Sequence, residues 1–209
     1  LCRFSFFYYI CLMPQLSILI ATVPNRREQL DALFNDLSSQ AQAYGDDVEV
    51  LVLLDNKKRS IGLKRQALFD ISKGTYVTWI DDDDKVAPYY VEKAMEVING
   101  SFHPDVITLK QYVYIDGNGA YELTFKAGHE VNEEVGETPA TRPPWHVCIW
   151  KRETVKGVKF PDSMYGEDWA WAEQANKLIR HAKHIDHFML TYIFDSNITE
   201  ATNEELLTE

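Results

Sequence analysis

Thr75-Tyr-Val-Thr-Trp-Ile-Asp-Asp-Asp-Asp-Lys-Val-Ala-Pro88 joins a short, β-rich apolar segment to four adjacent carboxylates. A strand over Thr75 to Ile80 delivers those acids to one place. Clustered carboxylates repel one another and lose solvation when partly buried, so a fold that gathers them at a strand end calls for a cation nearby. Asp81, Asp82, Asp83 and Asp84 are therefore read as a candidate metal and phosphate site. An ordinary solvated turn is the alternative reading of the run taken alone.

Upstream, Leu16 to Ala21 is a continuous apolar run of strand length, followed by a turn with Pro24 and Asn25, and reads as a buried parallel strand. Leu30, Leu33, Phe34 and Leu37 recur at helical spacing and predict an amphipathic helix over 27–43, starting near Asn25. Val48 to Leu54 is a second strand ending at Asp55, and Ser60 to Ser72 a second helix closed by Lys73-Gly74. This alternation is that of a parallel sheet with right-handed crossovers, in which ligands bind beyond the carboxyl ends of the strands. The turn from Thr22 to Arg26, Asp55 and the Asp run each occupy such an end. Their expected convergence on one crevice favours the metal reading over the turn.

Downstream, Pro88 opens a helix through Asn99. Asp105 to Asp116 predicts a long strand turning at Gly117-Asn-Gly119 into Ala120 to Phe125, so the sheet gains an antiparallel hairpin. Residues 127–144 lack periodicity and read as a mobile loop, and Lys183 to Phe194 as a strand. Glu167 and Asp168 follow Gly166 at the start of a helix expected to run to about Arg180. Acids there suit the helix dipole and form an N-terminal cap on one reading. On the other, a general base is held in its charged form by those backbone N–H groups, with Trp169 and Trp171 as walls able to stack on a sugar ring. Beside the upstream acids, the second reading is the stronger.

At 209 residues with 45% hydrophobic content, the chain has length for one packed domain and is short for two. The formal net charge of -11 argues against nucleic acid or an anionic membrane as a partner, since neither Lys57-Lys58-Arg59 nor any other stretch makes a basic patch. Cys2, Cys11 and Cys148 stand at no metal-ligand spacing and read as reduced thiols in a cytoplasmic setting, the membrane periphery included. Residues 1–12 are apolar and aromatic, too short for a transmembrane segment, and read as an N-terminal extension ahead of a single domain over 13–209. His181, His184 and His187 do not share one strand face and, with His146, stay outside the catalytic set.

These motifs, spanning about Leu16 to Arg180, resemble those of the family 2 glycosyltransferases, enzymes of the GT-A fold that move a sugar from a nucleotide donor to an acceptor hydroxyl. Ala21-Thr-Val-Pro-Asn-Arg26 looks like the family's first-strand turn, with Val-Pro in place of a single residue. Asp55 matches the Asp that ends the second strand, and Arg65 the Arg of the following helix. Ile80 to Asp84, with Pro88 in register, matches the Asp run, Asp82 standing where the family has a small residue. Glu167-Asp168-Trp169 matches the Glu-Asp pair before a Trp-rich helix.

The resemblance implies a single GT-A domain of α/β class, its mostly parallel central sheet flanked by helices, with a nucleotide-binding half over about 15–100 and an acceptor-binding half over about 101–195. It implies a hexosyl- or N-acetylhexosaminyltransferase acting with inversion on a nucleoside-diphosphate sugar, a UDP-sugar for preference, and on an acceptor hydroxyl. Asp83 would bind Mn2+ or Mg2+, Asp81 would orient the ribose or the metal's water, and Asp84 would stand behind them. Asp168 would be the base, with Glu167 beside it. Thr22, Pro24, Asn25, Arg26, Asp55, Arg65, Asp81 and Asp82 would hold the nucleotide, and Trp145 and Trp169 the acceptor. A sugar nucleotidyltransferase is the rival enzyme, although the chain lacks a Gly-rich basic loop after its first strand. A carbohydrate- or calcium-binding module is the non-enzymatic rival.

Overall fold

A computed structural model describes residues 13–136 and 139–194. The reading of residues 1–12 as an extension, with Cys2 and Cys11, lies outside the described residues. Strand β1 (Leu16–Thr22) is buried along its whole length, as its unbroken apolar run requires. It pairs in parallel with β2 (Val48–Leu54) on one side and β3 (Tyr76–Trp79) on the other. The crossovers are α1 (Arg27–Ala41) and α2 (Ile61–Ile71), whose buried residues, Leu30, Leu33 and Leu37 in one and Leu68 and Phe69 in the other, enter the core.

Beyond β3 the direction changes. After β4 (Lys85–Val86) and α3 (Tyr90–Ile98) come β5 (Val106–Ile115), β6 (Asn118–Phe125), β7 (Ala140–Arg142), β8 (Ile149–Lys151), α4 (Arg152–Val155), α5 (Glu167–Asn176) and β9 (Ala182–Phe194). The sheet order is β2-β1-β3-β8-β5-β6-β7, with β8 antiparallel to both β3 and β5, and β6 antiparallel to β5. Strand β9 runs parallel to β5 and brings in β4. Most of the paired length is parallel, and the helices flank it: the α/β class with a mostly parallel sheet and a hairpin is the observed fold.

Boundaries differ where local geometry overrides propensity. A 3-10 turn over Pro24–Arg26 precedes α1, and a second 3-10 segment, Gln42–Asp47, takes up the end of the expected 27–43 helix. Helix α5 stops at Asn176 rather than near Arg180. The hairpin turns at Asp116-Gly117, not at Gly117-Asn-Gly119. Both turn residues have positive φ (50° and 76°), the geometry that matches the twist of a two-residue hairpin, and a bulge follows at Gly119. The expected 127–144 loop contains β7, which lies parallel to β6 and is anchored by Glu133, whose carboxylate accepts from the Thr141 N–H at 2.7 Å.

Under the acid run sits an aromatic cluster in which Trp171 meets Trp79, Trp150 and Phe160 at ring separations of 5.0–5.2 Å. Trp171, 1% exposed, is therefore core and not a wall for a sugar. Among the described residues no helix is long and apolar enough to cross a membrane.

Candidate active site

The carboxyl ends of β1 and β3 meet at a cleft of about 890 Å³. Thr22, the last residue of β1, donates its hydroxyl to Asp82 Oδ2 at 2.6 Å, and Arg26 reaches Asp82 Oδ1 at 2.8 Å and Asp83 Oδ2 at 3.1 Å. Buried Asp82 thus has both oxygens engaged by the turn that follows the first strand. Arg65, carried by α2, lies between Asp81 Oδ1 at 2.6 Å and Glu167 Oε1 at 2.5 Å. These two arginines set positive charge from the protein itself against Asp81, Asp82 and Asp83.

The acids respond differently to one shared environment. Burial pushes Asp81 up, but the Arg65 guanidinium and the His146 imidazole beside it hold its carboxyl well below the usual carboxylate range. Burial and the neighbouring Asp81 charge push Asp83 up to about 6, against the pull of Arg26. Burial, then Asp81 and Asp83, push Asp84 well up, and its Oδ1 has no hydrogen-bond partner. Burial also raises Glu167, although Arg65 opposes it.

Helix α5 starts from Gly166, whose φ of 73° places it in the left-handed region that glycine tolerates. Glu167 turns inward to Arg65, while Asp168 turns to the cleft with Oδ1 accepting from the Trp169 N–H at 2.7 Å. Trp169, 38% exposed, lines the cleft and meets Trp145 edge to face at 6.1 Å. The Arg142 guanidinium lies 5.6 Å from the Trp145 ring.

Of the residues singled out from sequence, Thr22, Arg26, Arg65, Asp81, Asp82, Asp83, Glu167, Asp168, Trp145 and Trp169 all border this one cleft. Asp83 and Asp168, far apart in the chain, share it. Pro24, Asn25 and Asp55 are not among its lining residues. Pro24 and Asn25 are exposed on the 3-10 turn. Asp55 accepts from the Lys58 and Arg59 N–H groups at 2.8 and 3.3 Å and so caps its own loop.

Sequence reasoning missed Lys64, Tyr165 and Tyr192, which also line the cleft, and set aside His146, which lies buried between Asp81 and Asp168. Adjacency to Arg65 was a signal for Lys64, and adjacency to Trp145 one for His146. Among the described residues no group of three or more His, Cys, Asp or Glu is arranged to hold a metal ion.

No protein-family model matches the chain, and no curated protein matches it in sequence. Solved structures match it in fold. Staphylococcus aureus TarS 1–349 in complex with UDP-GlcNAc aligns with a TM-score of 0.60 at 13% identity, over 93% of this chain and 61% of that one. The same fragment in complex with UDP gives 0.60 at 14% identity, over 86% and 60%. The catalytic domain of Drosophila β1,4-galactosyltransferase 7, in complex with xylobiose, gives 0.51 at 10%, over 93% and 79%. The chain spans about three-fifths of the TarS 1–349 structures. At these identities the likeness is one of fold, and that fold is GT-A-like.

Proposed function

We propose that this chain is a glycosyltransferase that moves a sugar from a nucleoside-diphosphate donor, a UDP-sugar for preference, to an acceptor hydroxyl with inversion. One observation carries the reading: the Asp81–Asp83 run and Asp168 border a single cleft, although separate elements deliver them. The UDP-GlcNAc and UDP held by the TarS structures of like fold support the donor class.

In the reaction, the acceptor O–H gives its proton to the Asp168 carboxylate and its oxygen bonds to the anomeric carbon. The bond from that carbon to the diphosphate oxygen breaks, its electron pair leaving with the nucleoside diphosphate. The carboxylates of Asp83 and Asp81 border the cleft and are hard oxygen donors, which suits Mn2+ or Mg2+ completing its shell from diphosphate and water. Such an ion, when bound there, would neutralise charge on the departing diphosphate. Arg26 and Lys64 place positive charge along the same cleft for the phosphates. Thr22 and Arg26 hold Asp82, and Arg65 holds Asp81, so these contribute by fixing the acid run. Glu167, buried against Arg65, orients the base's neighbourhood rather than taking the proton. Trp169, Trp145 and the 70%-exposed Tyr165 offer aromatic faces suited to a pyranose acceptor of the hexose or N-acetylhexosamine kind.

The test is nucleotide release from UDP-GlcNAc or UDP-galactose with Mn2+. The reading expects UDP as product, with Asp83→Asn and Asp168→Asn each lowering the rate by about 10²–10⁴-fold while the fold is kept. Near-normal rates in those variants refute the assignment, and pyrophosphate in place of UDP refutes transfer in favour of nucleotidyl chemistry.

A further inference from the structure

His146 is the most unusual polar residue near the cleft. It is 3% exposed, and neither ring nitrogen has a hydrogen-bond partner, an arrangement that folded proteins rarely leave unexplained. Its Nδ1 stands 3.8 Å from Asp168 Oδ2 and its Nε2 3.8 Å from Asp81 Oδ2. The ring therefore lies between the residue assigned as base and the acid run.

The backbone places it there. The His146 carbonyl accepts from the Trp79 N–H at 3.4 Å, and the next carbonyl, of Val147, accepts from the Thr78 hydroxyl at 3.1 Å. The turn leading into β8 is thus fastened to the last residues of β3, the strand that delivers Asp81. These bonds hold the residue's backbone beside the two carboxylates that its ring faces.

We infer that His146 is a positioning residue for the transfer reaction: its Nδ1–H aims the Asp168 carboxylate, and its Nε2 side ties that aim to Asp81. The inference rests on the glycosyltransferase reading above. Oδ1 of Asp168 accepts from the Trp169 N–H at 2.7 Å and Oδ2 faces His146, so closure of the ring would grip the carboxylate on both sides and leave it one orientation toward the cleft. Separations of 3.8 Å are beyond hydrogen bonding, and closing them takes about 1 Å of movement. Contacts of this kind often tighten only when substrate fills a site. A bridge already made runs in parallel from Asp81 through Arg65 to Glu167, so closure of His146 would join the start of α5 to Asp81 a second time.

The experiment uses the 209-residue chain with UDP-GlcNAc and Mn2+. UDP affinity is measured by calorimetry, UDP release by a coupled assay, and folding by thermal melts, for His146→Ala, His146→Gln, Asp168→Asn and the doubles. The expected result is UDP affinity within about twofold of the parent and a release rate lower by about 10²-fold, the usual cost of a misaimed catalytic group. Adding either His146 substitution to Asp168→Asn should lower the rate no further, because His146 acts through Asp168. His146→Gln keeps a side-chain donor and most of the bulk, and decides the matter if His146→Ala fails to fold. An unchanged rate, a parallel loss of UDP affinity, or effects that multiply in the double variants overturn the inference. A parent chain that binds and releases no UDP overturns the glycosyltransferase reading itself, and the inference with it.

Discussion

Replacing Arg65 with Met removes the cation on which two acids lean. Arg65 is buried between Asp81 and Glu167, and Glu167 is as deeply buried as the arginine. Met retains much of the volume, so the loss is electrostatic. Removing one partner of a buried ion pair costs about 3–5 kcal/mol, because the remaining charge stays uncompensated. For a chain of this size that is roughly 6–20 °C in melting temperature. In the parent, Asp81 is held below its ordinary value, so the stability it brings is present above the usual carboxylate range and is lost only in strong acid. Glu167 is already raised by burial, and its contribution falls as pH rises through its folded value. Without Arg65 both carboxyls move up. The penalty should be full at pH 8 and shrink toward pH 5, where the neutral forms need no cation. Differential scanning calorimetry of parent and variant at both pH values, without nucleotide, measures it. A loss of less than about 3 °C at pH 8, or an equal loss at both, refutes the buried-cation argument.

Two further outcomes follow from single residues. Asp83, pushed up to about 6, favours folding when protonated and loses that advantage as pH rises through 6, so Asp83→Asn should be the more stable protein at pH 8, by up to about 3 kcal/mol, with the gap closing toward pH 5. Urea unfolding at the two pH values checks this, and a parent more stable than the variant at pH 8 contradicts it. At Gly62 in the first turn of α2, an added Cβ would lie 1.9 Å from the Pro161 carbonyl oxygen, so Gly62→Ala must push α2 from the segment leading to α5 and should cost about 1–3 kcal/mol. Unfolding at unchanged midpoint would show that the segment yields freely.

Much of the first half of the sheet was legible because its signals are local. The apolar runs Leu16 to Ala21 and Val48 to Leu54 became β1 and β2, and the acids fell at the end of β3. Strands β4 and β8 were not legible: two or three residues carry no periodicity, and their pairing is set by distant partners in β9, β3 and β5. The hairpin offset came from reading three turn residues where Ile115 pairs with Asn118 and leaves Asp116-Gly117 as the turn, Gly119 with its own positive φ belonging to the bulge beyond. Trp169 and Trp171 look alike in sequence, yet residues two apart on a helix face nearly opposite ways, so one lines the cleft and the other the core. For His146 the neighbouring Trp145 pointed to the cleft, but not to the two carboxylates beside the ring, which come from other parts of the chain. The need for positive charge beside the acid run was readable, but not that Arg26 and Arg65 would pair with it.

The left-handed Gly166 sets where α5 begins, and consecutive residues on a helix project about 100° apart. That angle is what sends Glu167 inward and Asp168 outward. One residue gained or lost between Pro161 and Gly166 and passed on into the helix would turn it by the same amount and swing Asp168 away from the cleft, with every side chain chemically intact. Length changes should therefore be excluded from 161–166: in that short span, counting matters more than composition.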